Sequence, residues 1–304
     1  PVAFVIFNRP EETKRVFEAI RRAQPEQLFI IADGPRNEAE WARCEAVRNV
    51  VASIDWKCDV HRDYAEKNLG CSGREASGLD WVFRKVERAI IFEDDCLPHP
   101  SFFPFCEELL EHYAHDEQIM SVTGNFFQQK NRGFHVTASY YGSLLPHTWG
   151  WATWRRAWQK YDYNLTQWPE VKKKGTLIPV FKNPAAYEYW AGVWDRYYRD
   201  KVNNYDSQWV FACAMNKGIC LNPTVNLISN IGFGESATHT KTLNEFANMP
   251  TQAITFPLVH PKKISIDYPA DAFTFRQNFG IDKKLRHRLL RPIKTAFPKP
   301  YWAV

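Results

Sequence analysis

Apolar runs and amphipathic segments alternate along the first part of the chain. Unbroken apolar runs are typical of strands that are covered on both faces of a sheet. The strands predicted in this way cover 2–7, 28–32, a weaker stretch near Val60, 89–92 and 119–123. Between them, apolar residues recur at helical spacing, as at Val16, Ile20 and Ala23. This order predicts an α/β fold with a mostly parallel sheet flanked by helices.

Polar side chains come directly after three of the predicted strands. They are Asn8 and Arg9, then Asp33, and finally Glu93, Asp94 and Asp95. The carboxyl ends of parallel strands meet at one edge of an open α/β sheet, and ligands bind in the crevice outside that edge. We therefore expect these side chains, which are scattered in the sequence, to converge on one ligand site.

Missing motifs narrow the class of ligand. The first strand-to-helix turn is Asn-Arg-Pro and not G-x-G-x-x-G, which argues against a dinucleotide cofactor. The chain has no G-x-x-x-x-G-K-[ST] and no G-x-S-x-G, so a P-loop NTPase and a common α/β-hydrolase are excluded. A sugar-1-phosphate nucleotidylyltransferase is also disfavoured, because the turn after the first strand is not glycine-rich.

The three acids after the fourth strand suit a divalent cation. Carboxylate oxygens are hard ligands for Mg²⁺ or Mn²⁺, and such an ion would neutralise charge on a departing nucleoside diphosphate. Alternation along an extended backbone predicts that Glu93 and Asp95 point one way and Asp94 the other. The simpler interpretation is a solvated acidic turn, but the buried run before the acids favours the metal site.

Composition and charge restrict the partners. The chain has 304 residues, of which 45% are hydrophobic and 24% are charged, as in an ordinary globular protein. The net charge of +5 comes from the last 22 residues, which hold seven Lys and Arg and no carboxylate, so a nucleic-acid binder is not expected. Leucines interleave with this basic tail, a pattern that suits peripheral contact with a membrane, although a solvated helix face explains it equally well.

The cysteines and the hydropathy bear on the compartment. The seven cysteines show no metal-binding or redox spacing and indicate free thiols in a reducing, cytoplasmic setting. No run of about 18 apolar residues exists that would span a bilayer. The longest uncharged stretch, 136–154, contains proline, glycines and hydroxyls and is expected to be a buried, polar-lined segment.

Several of these motifs, taken in order, resemble a known family. The motifs are Asn8-Arg9, Asp33-Gly34, the helix with Trp81, 91–95, 98–103, 148–154, 205–209 and 231–234 up to His239. They resemble GT-A-fold glycosyltransferases that use nucleotide sugars, above all the N-acetylglucosaminyltransferase I group and bacterial family-2-like transferases. The resemblance covers 2–246. It implies a GT-A fold with a nucleotide-sugar-binding half at 1–118, an acceptor and catalytic half at 119–246 of the same domain, and a C-terminal extension at 247–304.

The resemblance also implies roles on the donor side. Asp33 would bind the nucleotide base, and Arg9, with Asn8, would lie near the base or diphosphate. Asp94 would contact ribose or sugar hydroxyls, with Glu93 beside it, while Asp95 and His239 would bind Mn²⁺ or Mg²⁺. Three of these residues have a simpler alternative role: Asp33 as a turn-forming residue, Arg9 as part of a surface ion pair, and His239 as an exposed or structural histidine.

On the acceptor side, the resemblance favours Trp151 for substrate contact and Asp206 as the catalytic base. Relatives carry an acidic pair just before the tryptophan, where this chain has Ser207 and Gln208. Asp195 is therefore a second candidate for the base. The simpler alternative for Asp206 is that it caps the start of a helix.

These inferences predict an inverting, metal-dependent glycosyltransferase, of the hexosyl or N-acetylhexosaminyl type. Its donor would be a nucleoside-diphosphate sugar, with UDP expected, and its acceptor a hydroxyl of a glycan or lipid-linked molecule. The alternative is a non-catalytic GT-A-like module that binds a sugar nucleotide or a glycan.

Overall fold

A computed structural model of the chain describes residues 1–200, 202–233 and 246–280. The strands within these ranges are β1 (Val2–Ile6), β2 (Gln27–Ala32), β3 (Asp59–Tyr64), β4 (Arg88–Glu93), β5 (Cys96–Pro98), β6 (Ile119–Thr123), β7 (Tyr140–Ser143), β8 (Trp151–Trp154), β9 (Ile219–Pro223) and β10 (Ile228–Asn230). The helices are α1 (Pro10–Ala23), α2 (Glu38–Val50), α3 (Gly70–Phe83), α4 (Phe102–His112), α5 (Arg155–Trp158), α6 (Trp168–Lys174), α7 (Ile178–Phe181), α8 (Pro184–Asp200), α9 (Asp206–Met215) and α10 (Tyr268–Phe279).

Eight of these strands form one sheet in the order β3-β2-β1-β4-β8-β6-β9-β7. The first four are parallel to one another, and β6 and β9 run in the same direction as they do. Only β8 and β7, among the described strands of this sheet, run the other way. The predicted α/β fold with a mostly parallel sheet is confirmed, and its parallel half followed by a mixed half matches the GT-A-like arrangement that the resemblance implied. A short sheet pairs β10 with β5.

Helices cover both faces of the sheet, which explains the unbroken apolar runs. Successive residues of a strand point to opposite faces. In β1, Phe4 packs with Val16 and Ile20 of α1, whereas its neighbour Ala3 packs on the other face with Leu79 of α3. Each large side chain buried in this way stabilises the fold by about 1.5–3 kcal/mol relative to its exposed state.

Local signals fix where α1 begins and ends. Pro10 occupies the first turn, where the missing N–H costs no hydrogen bond. Acidic residues lie in the first turn and basic residues in the last, which complements the helix dipole. The helix ends at Gln24, whose φ of 47° is left-handed. The polar Asn8 and Arg9 are thereby held between the end of β1 and the start of this helix.

The stretch 136–154, expected to be one buried segment, contains two strands, β7 and β8. Both are four residues long, too short to be told from an irregular apolar segment by periodicity. Strand β8 lies antiparallel between β4 and β6, with Trp151 opposite both Ile91 and Thr123. It therefore joins the two halves of the sequence into a single sheet.

A third group of buried side chains, largely aromatic, packs α6, α7, α8 and α9 together beside the sheet. Trp168 and Trp194 lie at its centre, with ring centroids 5.1 Å apart. None of the helices described in this chain has the length and apolarity needed to cross a membrane. The cysteines, all of which lie in the described ranges, are free thiols.

Candidate active site

The carboxyl ends of β1, β2 and β4 lie side by side, and the residues beyond them line a cavity of about 230 Å³. Five residues predicted from the sequence are on its wall: Arg9, Asp33, Glu93, Asp94 and Asp95. Asn8 is not on this wall, and its Nδ2 donates to Oε1 of Glu40 at 3.1 Å. The topology has brought together side chains that are as many as 86 positions apart.

Arg9 holds the two consecutive aspartates in place. Its Nη1 donates to Oδ2 of Asp95 at 2.7 Å, and its Nη2 donates to Oδ1 of Asp94. The backbone N–H of Phe7 donates to the other oxygen of Asp94 at 3.2 Å. Strand β4 ends at Glu93, and the two aspartates form the turn into β5. The expectation that Asp94 points away from Asp95 is therefore wrong, because the strand ends at Glu93 and its alternation does not extend to the two aspartates.

Burial disfavours the ionised forms of the carboxylates in this turn. Burial, with the charge of Asp95 adding to it, raises the pKa of Glu93 to about 8, although the hydroxyl of Tyr205 donates to its Oε1 at 3.1 Å. Burial also raises the pKa of Asp94 to about 6, against the opposing effect of the Arg9 guanidinium. Raised carboxyl pKa values inside a cavity are typical of functional sites.

Glu75, which the sequence analysis missed, is a fourth acid of this group. Its side chain comes from α3, lines the cavity and is only 3% exposed. Burial and the charge of Glu93 raise its pKa well above the usual range, and no donor within the described residues reaches its Oε2. A signal existed in the sequence, since Glu75 precedes Leu79 by one helical turn and so falls on the apolar face of α3. Glu75, Glu93, Asp94 and Asp95 are called the acidic cluster below.

Asp33 supports a loop at the edge of the cavity. Its Oδ1 accepts hydrogen bonds from the N–H groups of Gly34 and Leu69, at 2.8 and 2.9 Å, and its Oδ2 accepts one from Nδ2 of Asn68 at 2.9 Å. Burial nevertheless raises its pKa. The turn-forming role considered as the alternative is thus observed, and the same residue is on the cavity wall.

A cationic and aromatic wall faces the acidic cluster, and the sequence analysis missed it. The guanidinium of Arg36 lies 5.4 Å from the ring centroid of Phe7 and is held by Glu40. Trp149 and Phe233 form another part of the wall, with their rings 5.8 Å apart in an edge-to-face contact. Flat aromatic faces and a guanidinium are suited to a nucleobase, a sugar face or a phosphate.

Glycine is required where the chain passes over Asp95. The backbone N–H of Ile231 donates to the carbonyl of Asp95 at 2.8 Å, which presses Gly232 against that side chain. A Cβ at residue 232 would lie 2.0 Å from Oδ2 of Asp95 and 2.6 Å from Nη1 of Arg9. This contact fixes the position of the carboxylate that the sequence singled out for a metal.

The charge of the acidic cluster fits a divalent cation. The guanidinium of Arg9 balances one of four carboxylates when all are ionised, and the neighbouring Arg74 is bonded to Asp63. Burial is the main cause of the raised pKa values and the neighbouring carboxylates add to it, while a bound cation would favour the ionised forms. Oxygen donors are the ligands that Mg²⁺ and Mn²⁺ prefer. Within the described ranges, however, no three Asp, Glu, His or Cys side chains are grouped closely enough to hold an ion without rearrangement. Arg9 is the group that an ion would displace from Asp95.

The residues predicted for the acceptor side lie outside this wall. Trp151 is fully buried, with its ring 5.5 Å from that of Trp209, and Trp149 lines the cavity instead. Asp206 is exposed at the first residue of α9, and its Oδ1 accepts a hydrogen bond from the N–H of Ser207 at 2.7 Å. His239 lies outside the described residues.

Electrostatics connect Asp206 with the cavity. Cys71 lines the cavity, and burial together with the charges of Glu93, Glu75 and Asp206 raises the pKa of its thiol. Tyr205, the residue before Asp206, donates to Glu93 on the cavity wall at 3.1 Å, so α9 begins beside the cavity. The other candidate base, Asp195, is engaged elsewhere: its two oxygens accept from Nε1 of Trp168 at 2.9 Å and from Nζ of Lys172 at 2.6 Å.

Comparisons with known proteins find likeness only among solved structures. No protein-family profile matches the chain, and no curated protein does. The structure of S. aureus TarS 1–349 is 10% identical, with a TM-score of 0.37; the likeness covers 74% of this chain and 58% of that one. A galactosyltransferase, LgtC, in complex with donor and acceptor sugar analogs, is 13% identical over 70% of each chain, with a TM-score of 0.35. HddC from Yersinia pseudotuberculosis, complexed with GMP-PN, is 10% identical over 51% of this chain and 78% of its own, with a TM-score of 0.33.

The chain thus spans just over half of the TarS structure. Because all three TM-scores are below 0.5, the function proposed below rests on the residues of the site.

Proposed function

We propose that this protein is a glycosyltransferase that moves a sugar from a nucleoside diphosphate to a hydroxyl group of a glycan or lipid-linked acceptor. The observation that carries the proposal is the convergence of Arg9, Asp94 and Asp95 with Arg36 and an aromatic wall in one cavity at the carboxyl edge of the sheet. Guanidinium groups bind phosphate oxygens, and carboxylates bind sugar hydroxyls. The motifs that resemble GT-A transferases supply most of these same residues.

The donor is proposed to lie along this wall. Arg36 and Phe7 form the outer part, where a base or phosphate would bind, and UDP is the nucleotide that the resemblance favours. Asp94 would accept hydrogen bonds from ribose or sugar hydroxyls. The guanidinium of Arg9, which is bonded to Asp94 and Asp95, would also interact with the diphosphate. A divalent cation held by Asp95, with His239 as the second ligand inferred from the resemblance, would supply further charge neutralisation when bound.

The transfer step requires a base on the acceptor side. We assign it to Asp206, which is exposed at the start of α9 beside the cavity and would take the proton of the acceptor hydroxyl as that oxygen attacks the anomeric carbon. Attack from the face opposite to the departing diphosphate inverts the configuration of the sugar. The C–O bond to the diphosphate breaks as the new glycosidic bond forms, and the base keeps the proton.

A panel of nucleoside-diphosphate sugars, assayed for nucleoside diphosphate release with and without Mn²⁺, tests the proposal. We expect Asp95→Ala to lose donor binding and turnover. We expect Asp206→Ala to bind the donor while turnover falls by about 10²–10⁴-fold, the usual contribution of a general base. Asp59→Ala, an exposed carboxylate on β3, is the matched control and should behave as the wild type.

Each contrary result removes a different part of the proposal. Full activity of Asp206→Ala would exclude it as the base, and release independent of Mn²⁺ would exclude the cation. Donor binding without release, for every sugar in the panel, would favour the non-catalytic sugar-nucleotide-binding module. Cytoplasmic location and membrane contact through the basic tail stay predictions from the sequence.

A further inference from the structure

A second cavity, larger than the first, is lined by residues between 126 and 278. Its volume is about 550 Å³, within the range of small-molecule sites. The loop after β6, the segment after β9, residues 246–252 and helix α10 form its walls. None of the sequence motifs or the proposed catalytic groups accounts for it.

One buried side chain connects three of the four walls of this second cavity, all except α10. Asn226 is 5% exposed, and its Nδ2 donates to the carbonyls of Ile228 and Pro250, at 2.7 and 3.2 Å. Its Oδ1 accepts a hydrogen bond from the N–H of Phe126 at 3.3 Å. The N–H of Gln252 in turn donates to the backbone carbonyl of Asn226 at 2.8 Å. Three separate segments of the cavity wall are thereby held together by hydrogen bonds.

The lining combines aromatic rings with amides. Phe126, Phe127 and Phe273 supply apolar faces, and the amides of Gln277 and Asn278 are set among them. Among the described residues that line the cavity there is no carboxylate, in contrast to the catalytic cavity, and the one charged side chain, that of Lys130, already interacts with a neighbouring group. The Oδ1 of Asn278 accepts no hydrogen bond within the described residues. Amides donate and accept at once, as a sugar hydroxyl does, and aromatic faces pack against the C–H face of a pyranose ring.

An aromatic ridge connects the two cavities. Phe127 lines the second cavity, Trp149 lines the catalytic one, and their ring centroids are 6.2 Å apart. Phe246 packs against Phe127 at 5.6 Å, and Phe233 against Trp149 at 5.8 Å. The two cavities are thus separated by a single pair of contacting aromatic rings, those of Phe127 and Trp149.

From this arrangement we infer that the second cavity binds uncharged sugar units of the acceptor, remote from the hydroxyl that is glycosylated. The inference rests on the proposed function, since it names the acceptor as a neutral oligosaccharide that spans both cavities. Amides of Gln277 and Asn278 recognise its hydroxyls, and Phe126 and Phe127 pack against its rings. The enzyme then prefers acceptors of three or more units over single sugars.

The full chain is tested on an array of neutral oligosaccharides, anionic glycans and immobilised dodecyl chains. The variant Gln277→Trp fills the second cavity from an exposed position on α10, and Gln159→Trp, exposed just after α5, is the matched control. We expect the wild type and the control to bind neutral oligosaccharides, and the affinity of Gln277→Trp to fall by about tenfold or more. Thermal midpoints confirm that both variants fold, and release of nucleoside diphosphate to water is measured in the wild type and in Gln159→Trp.

The outcomes separate this inference from the proposed function. Binding of anionic glycans only, of dodecyl chains only, or of nothing on the array overturns the inference, and so does neutral-glycan binding that Gln277→Trp leaves unchanged. Donor turnover that persists in these cases leaves the proposed function standing. Conversely, glycan binding that depends on residue 277, with no turnover of any donor, supports the second cavity and contradicts the transferase.

Discussion

Gly232 offers a direct test of the catalytic cavity, because a methyl group added at this position would overlap the side chain of Asp95. In Gly232→Ala the new Cβ would lie 2.0 Å from Oδ2 of Asp95, whereas ordinary contacts begin at 3.4 Å. The carboxylate must therefore move by at least about 1.4 Å, or the chain after β10 must retreat by as much. Movement of the carboxylate breaks its 2.7 Å hydrogen bond with Arg9, and retreat of the chain breaks the 2.8 Å hydrogen bond from the N–H of Ile231 to the carbonyl of Asp95.

Both stability and activity should respond to this movement. Overpacking of a well-packed site costs about 1–3 kcal/mol, and we expect a loss in that range in the free energy of unfolding of Gly232→Ala. A displacement of about 1 Å at reacting groups reduces turnover by about 10²-fold. Chemical denaturation measures the first effect, and nucleoside diphosphate release measures the second.

The matched control for this test is Gly192→Ala. Gly192 lies in α8, where an added Cβ meets no heavy atom within 4 Å, so alanine should stabilise that helix by about 0.5–1 kcal/mol. The two glycine variants are thus expected to change stability in opposite directions. If Gly232→Ala unfolds at the same denaturant concentration as the wild type and keeps its activity, the close packing of residue 232 on Asp95 is refuted.

Three further substitutions test other parts of the structure. Burial raises the pKa of Asp271 to about 7, so the group favours folding at low pH and its contribution is lost as pH rises from about 4 to 7. At about 1.36 kcal/mol per pKa unit, the loss in the free energy of unfolding is at most about 4 kcal/mol. Denaturation at several pH values measures how this free energy changes with pH. Asp271→Asn should remove the dependence, and the control Asp267→Asn should keep it. Arg36→Ala should weaken donor binding about tenfold or more in calorimetry, through a lost charged hydrogen bond, with little change in stability, whereas Arg21→Ala should leave binding intact. Asp33→Ala should lower the free energy of unfolding by about 2–4 kcal/mol, because three donors lose their acceptor.

Each of these expectations has a result that contradicts it. A pH slope that survives in Asp271→Asn would show that this carboxyl is not responsible for it. Donor affinity that is equal in Arg36→Ala and the wild type would remove Arg36 from the donor site. An Asp33→Ala variant that is as stable as the wild type would mean that the loop at 68–70 is held by other contacts.

The strands of the parallel half followed directly from the sequence. A run such as 28–32 is apolar at every position because helices cover both faces of the sheet. Such a run can be recognised from consecutive residues of the sequence. Asp33, Glu93 and the two aspartates after it were placed at one edge by the same reasoning, since parallel strands align their ends. The pattern failed at β7 and β8, whose four residues each are too few for a repeating pattern to identify a strand.

What the sequence alone determined about this protein is therefore the α/β order and the row of polar residues at the strand ends, because both depend on periodicity and chain order. Only the tertiary structure decided the contacts between distant elements. It joined Arg9 to both aspartates, brought Glu75 and Arg36 into the cavity, buried Trp151 in the core and exposed Trp149 to the cavity. Neither the partner of a buried charge nor the face on which an aromatic ring falls is encoded by spacing, since each depends on how helices and loops pack across the sheet.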